Sequence, residues 1–212
     1  MTKFLLQEYI TLIVEKIRSR KNVKNLIDDK FYFGHFKTLN SIEMMYKYAS
    51  TYLEQLGEGS SRAAFLLSSR YVLKIAINEY GLSQNEVEYT TSTSLSNSPL
   101  ITKVYSADNQ SRWIVTDLVK ELTSEKEFEN LTGTNWNEFV ESLYRHLDDR
   151  GYYPKTDLIQ PDKFTQEVIS FCRQNNLVHD DICAIVHWGK TPDGRAVLLD
   201  FGLTYNILNQ MM

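Results

Sequence analysis

The sequence predicts an α+β chain in two lobes. Helix-period segments open it, a strand-rich stretch with one helix inside follows, and amphipathic helices with a short hairpin close it. Composition agrees. Of 212 residues, 42% are hydrophobic and 24% charged, an ordinary globular balance. The 9 Gly and 4 Pro exclude a collagen-like or linker-dominated chain.

In order, residues 2–20 carry Leu5, Leu6, Tyr9, Ile10, Leu12, Ile13 and Ile17 at helical spacing. Lys16, Arg18, Arg20 and Lys21 suit the C-terminal end of that helix, as a solvated end or as a contact for an anionic partner. The aromatic cluster Phe31, Tyr32, Phe33, His35 and Phe36 reads as buried core or as a partner surface. Residues 41–56 read as a second helix, with Ile42, Met45, Tyr46, Ala49, Tyr52 and Leu53 on one side.

The period then changes. Residues 63–67 and 71–77 are short apolar runs around Ser68-Ser69-Arg70, a hairpin signal. Residues 84–95 suit a short helix that starts on a Ser83/Glu86 capping box. Residues 100–105 and 112–118 pair around Asp108-Asn109. Residues 135–149 and 162–176 are amphipathic helices, the second with Phe164, Val168, Ile169 and Cys172 toward the core. Residues 196–200 form a last strand after Pro192-Asp193-Gly194, and the tail 206–212 is expected to fray.

Four segments carry chemistry. Gly57-Glu58-Gly59 heads a hairpin, where a turn without Cβ atoms brings backbone N–H groups to phosphate oxygens or simply makes the turn. Lys74 lies inside an apolar strand, facing solvent by alternation or facing the phosphates of a nucleotide. Glu86 and Glu88 lie about 200° apart on a helix, so one at most faces a cleft, and Glu88 is the favoured partner of Lys74. Further on, Asp181 and Asp200 bracket a short hairpin, and a carboxylate after an apolar strand suits magnesium bridging phosphates. His179, Asp181, His187 and Asp200 are also zinc ligand types, but no paired-cysteine or helical H-x-x-x-H spacing supports zinc.

Taken in order, these residues resemble the protein-kinase-like superfamily, which includes protein kinases and aminoglycoside phosphotransferases. Gly57-Glu58-Gly59 resembles the Gly-rich loop and Val72-Leu73-Lys74 the strand with the phosphate-binding lysine. Residues 113–118 resemble the strand into the hinge. His179-Asp180-Asp181 is similar to H-R-D at its first and third positions, and Asp200-Phe201-Gly202 to D-F-G. The ensemble also resembles compact kinase-like proteins of bacteriophages.

The resemblance implies a small antiparallel-sheet N-lobe and a truncated helical C-lobe, divided as 1–52 (helical extension), 53–118 and 119–212. It implies ATP and Mg2+ as cofactors, with Gly57, Gly59, Lys74, Glu88, Asp117 and Leu118 at the nucleotide. Asp181 and Lys74 would be catalytic, and Asp200 and His187 would hold metal. It departs from the family in three ways. His187 stands thirteen residues before Asp200, where the family has a metal-binding asparagine. Arg62 replaces the third loop glycine and Ala64 the usual valine, so that Arg62 contacts phosphate or is solvated. Only ten residues follow Gly202, too few for an activation segment or a peptide-binding subdomain. Two readings result: an ATP/Mg-dependent phosphotransferase, or a pseudokinase that binds a protein partner.

The two cysteines, Cys172 and Cys183, suit a reducing compartment. The net charge of −4 argues against a broad nucleic-acid surface, and no apolar run is long enough to span a bilayer. A cytoplasmic protein is expected, in the host cytoplasm if phage-encoded.

Overall fold

The computed structural model describes residues 30–96, 98–147 and 160–211. The helix expected over residues 2–20 and its basic end lie outside the described residues. The α+β plan expected from the sequence is present, as an antiparallel sheet followed by a helical half. Helices α1 (Phe33–Phe36) and α2 (Ile42–Tyr52) lead into strands β1 (Gln55–Glu58), β2 (Arg62–Ser68) and β3 (Tyr71–Ala76). Helix α3 (Glu79–Ser94) precedes β4 (Val104–Ala107) and β5 (Trp113–Asp117). The five strands form one antiparallel sheet in the order β1-β2-β3-β5-β4.

Strand alternation sorts the two faces of this sheet. Ala63, Phe65, Leu73, Ile75, Trp113 and Val115 point one way and are buried with Phe36, Leu39, Met45 and Ala49 of the leading segment. Phe33 stacks edge-on to Trp113 at 5.2 Å, so the aromatic cluster is largely core, although Tyr32 stays 55% exposed. The opposite set, which includes Arg62 and Lys74, faces α3 instead of solvent. Residues 41–56 divide sooner than periodicity indicates: α2 stops at Tyr52, and Gln55–Glu58 joins the sheet as β1.

Helix α3 also starts earlier than expected. Asn78 caps it by accepting the Gly81 N–H at 3.1 Å, while Ser83 sits inside the helix and donates to the Glu79 carbonyl. Hydrophobic periodicity is absent from its Ser- and Thr-rich sequence. Thr90 and Thr93 satisfy their hydroxyls on the carbonyls of Glu86 and Tyr89 one turn back. The helix is held by tertiary contacts that no periodic pattern announces.

The helical half contains β6 (Lys120–Glu121), α4 (Glu125–Thr132), α5 (Trp136–Leu147) and α6 (Lys163–Asn175). There follow α7 (His179–Ile182), a 3-10 turn (Ile185–His187), β7 (Trp188–Lys190), β8 (Ala196–Leu198) and α8 (Tyr205–Met211). Strands β6, β7 and β8 make a second antiparallel sheet. Val168, Ile169 and Cys172 of α6 enter a core with Phe128, Phe139, Trp188 and Phe201, and Phe164 packs against it partly exposed. Burial pushes the free thiols of Cys172 and Cys183 up to about 12, so neither is a reactive thiolate.

Where fraying was expected over 206–212, the described residues up to Met211 form the helix α8. Tyr80 donates to the Gln210 carbonyl at 2.9 Å, Ile207 is buried, and Tyr205 bonds His179, so α8 docks on α3 and on the His179 loop. Among the described residues, no helix is long and apolar enough to cross a membrane.

Candidate active site

The site lies where the α3 face of the first sheet meets the loop after β8. β3 is paired on both sides, by β2 and by β5, so Lys74 stands on a rigid central strand. Its Nζ donates to both oxygens of Glu88, at 3.0 and 2.8 Å, and to the Leu199 carbonyl at 2.6 Å. Glu88 is fully buried, whereas Glu86 is exposed, as the half-turn between them requires.

Sequence reasoning left Arg62 undecided between phosphate and solvent, and neither describes its position. Arg62 is buried at 7% exposure. Its guanidinium lies 2.8 Å from Glu88 Oε1, forms a close ion pair with Asp200 Oδ1, and reaches Asn85 Oδ1 at 3.4 Å. Burial opposes the charge on Arg62, but Asp200 and Glu88 outweigh it and hold the guanidinium firmly protonated. Strand β2 begins at Arg62, one residue before the expected run at 63–67, so alternation places Arg62 on the same face as Lys74.

Asp200 is 34% exposed. Burial works to raise its carboxyl, but Arg62, Lys74 and His187 together hold it well below the usual carboxylate range. Asp181 goes the other way. Burial and the negative charge of Asp200 push it up to about 6, against the opposing pull of His187 and Arg62. The two carboxyls flank one site in opposite states of readiness to take a proton.

The loop around Asp181 is pinned at several points. Trp188, fully buried, donates its indole N–H to the Ile182 carbonyl at 2.9 Å. His187 Nδ1 lies 2.7 Å from the Asp181 carbonyl and 3.2 Å from its carboxylate. His179 is buried and hydrogen-bonded to the Tyr205 hydroxyl. The loop after β8 is held by close approach: a Cβ on Gly202 would meet the Gln84 carbonyl oxygen at 2.7 Å.

The remaining expected residues are placed differently. Gly57 and Gly59 are exposed, and a Cβ on either would meet little: nothing at 57, and the Arg62 carbonyl at 3.9 Å at 59. The glycine that shapes this turn is Gly81, where a Cβ would lie 2.1 Å from the Ser61 carbonyl oxygen. Asp117 accepts from the Tyr105 hydroxyl at 2.8 Å and from the Lys103 N–H at 3.2 Å, and the Leu118 N–H bonds the Arg70 carbonyl at 2.8 Å. Those atoms of the predicted hinge are already engaged within the sheet. Among the described residues no group of three or more His, Cys, Asp or Glu could hold a metal ion. Of the two metal ligands expected from the sequence, Asp200 is paired with Arg62 and His187 turns Nδ1 onto Asp181.

No protein-family model and no curated protein matches the chain. Among solved structures it is similar to aminoglycoside phosphotransferases. The streptomycin–ATP complex of APH(2'')-IIa is 18% identical, the match covering 77% of this chain and 72% of that one, with a TM-score of 0.42. The ADP-bound aminoglycoside phosphotransferase APH(2'')-Ib is 15% identical over 77% and 71% of the two chains, with a TM-score of 0.39. The GDP complex of aminoglycoside 2'-phosphotransferase-IIIa is 14% identical over 75% and 70%, with a TM-score of 0.37.

Proposed function

We propose that this chain is a kinase-like, nucleotide-binding phosphotransferase that uses ATP and passes its terminal phosphoryl group to a hydroxyl acceptor. The observation that carries the reading is the Lys74–Glu88 ion pair on the same side of the sheet as Asp200, with the half-buried Asp181 carboxyl close enough to Asp200 for the two to oppose each other's ionisation. Lys74 is held by Glu88 on a central strand, so its ammonium is preorganised for phosphate oxygens. On binding, those oxygens replace the Leu199 carbonyl as its third partner.

Asp181 orients the acceptor hydroxyl and takes its proton as the oxygen attacks phosphorus. One P–O bond forms, the bond to the bridging oxygen of the nucleotide breaks, and the diphosphate leaves with its electron pair. Such chemistry is mainly positioning and charge neutralisation. In kinase-like enzymes magnesium supplies part of that neutralisation. The donor set here does not fit it as the residues stand, because Asp200 is engaged by Arg62, so no step above runs through a metal.

The test is turnover of ATP by wild type and by Asp181→Asn. The reading expects ATP binding in both and loss of turnover by at least about 100-fold in the variant. A specific observation favours a second reading, a pseudokinase that binds a protein partner: the Arg62–Asp200 contact and the engaged hinge atoms. Nucleotide binding without turnover on a broad panel of hydroxyl acceptors would select it.

A further inference from the structure

Arg62 is delivered to the site by a turn fixed at every residue. The Gly59 N–H bonds the Arg62 carbonyl at 2.9 Å, Asn78 Nδ2 donates to the Ser60 carbonyl at 2.8 Å, and Ser61 Oγ donates to Gln84 Oε1 at 2.7 Å. The Ile77 N–H bonds the Ser61 carbonyl at 2.8 Å, and Gly81 permits the close approach of α3 to that carbonyl. The arginine is therefore a built part of the cleft.

Charge bookkeeping points the same way. Glu88 and Asp200 carry two negative charges, and Lys74 and Arg62 carry two positive ones within ion-pair distance. These four charges cancel, and Asp181 beside Asp200 adds a negative charge only once its carboxyl, pushed up to about 6, has ionised. A divalent ion on Asp200 would share that carboxylate with a guanidinium already in contact with it, and the two cations would repel each other at short range. The planar fork of arginine spans two carboxylates at once, which the compact ammonium of lysine does less well.

We infer that Arg62 is the resident cation of Asp200: its guanidinium occupies the position of a divalent ion, and the wild-type protein takes no such ion there. The polyphosphate of a bound nucleotide then meets Lys74, beside an Asp200 already paired with Arg62, instead of a metal, a consequence that rests on the phosphotransferase reading.

The experiment is Mn2+ binding to the nucleotide-free, full-length chain, followed by the paramagnetic signal of free Mn2+. Omitting nucleotide separates the outcome from the fate of the phosphotransferase reading. Wild type should bind no Mn2+ at Asp200 up to about 1 mM, the weak end of the range that carboxylate sites span. Arg62→Gln should gain one site at least roughly tenfold tighter, lost again on adding Asp200→Asn. Asp200-dependent Mn2+ binding by wild type would overturn the inference, and so would a folded Arg62→Gln that gains no site. Should Arg62→Gln fail to fold, the 15N guanidinium resonances of Arg62 in wild type decide. They should be slow to exchange, move in Asp200→Asn and stay sharp when Mn2+ is added, whereas Mn2+ broadening that Asp200→Asn abolishes would overturn the inference.

Discussion

Lys74 on the central strand and Glu88 on α3 are joined by two hydrogen bonds, at 3.0 and 2.8 Å, and the Glu88 carboxylate is wholly removed from solvent. The same carboxylate receives Arg62 at 2.8 Å. A buried anion between two cations is expensive to assemble and more expensive to break, because removing it strands both partners in low dielectric.

Glu88→Gln is therefore expected to destabilise the fold by about 3–5 kcal/mol. The exposed Glu86→Gln should stay within about 0.5 kcal/mol of wild type. Urea denaturation of the two variants beside wild type checks both figures. Equal effects would mean that α3 does not present Glu88 to Lys74.

Asp181 ties pH to both activity and stability. In its proposed role as proton acceptor it must be ionised, so kcat/KM should rise with pH through a midpoint near 6, and the pH–rate profile reads this directly. Stability runs the opposite way for this group. Between about pH 4 and 6 the folded chain holds a proton that the unfolded chain has lost, so raising pH through that window costs stability. Asp181→Asn should then be more stable than wild type at pH 7, by no more than about 3 kcal/mol, while being inactive. Asp200 has the reverse sign: its carboxyl is held low, so its contribution is present above about pH 4 and is lost as pH falls below that.

Glycine substitutions separate backbone necessity from turn preference. Gly202→Ala drives a Cβ to within 2.7 Å of the Gln84 carbonyl and should cost about 1–3 kcal/mol, displacing the Asp200 loop from α3. Gly57→Ala meets nothing within 4 Å and should be close to neutral. Thermal denaturation of the two variants distinguishes them.

Much of the sheet was legible because its signals are local. The hairpin expected over 63–77 formed with nearly the expected bounds, whereas in the pair expected over 100–105 and 112–118 the first strand lies later, at Val104–Ala107. The start of α3 was hidden, because a Ser- and Thr-rich helix that bonds its own carbonyls has no apolar stripe to read. Among candidate site residues, alternation along β3 left Lys74 free to face water, and only the packing of α3 on that face makes it buried and paired. Arg62 carries the same lesson more strongly. Its departure from a glycine pattern was visible, but its contact with Asp200 spans 138 residues of sequence and belongs to tertiary structure alone. Gly57 and Gly59 stood out by spacing, whereas steric need falls on Gly81 and Gly202, whose neighbours come from other parts of the fold.

The central claim is that Lys74, held by Glu88, makes a site for the polyphosphate of a nucleotide. Calorimetric titration of ATP into wild type and Lys74→Ala, each in chelator and in excess Mg2+, tests it most directly. The account predicts that wild type binds in both conditions and that Lys74→Ala weakens binding at least roughly tenfold, the worth of one charge-assisted contact, with circular dichroism showing the variant folded. Failure of wild type to bind ATP at millimolar concentration, or equal binding by Lys74→Ala, would contradict it.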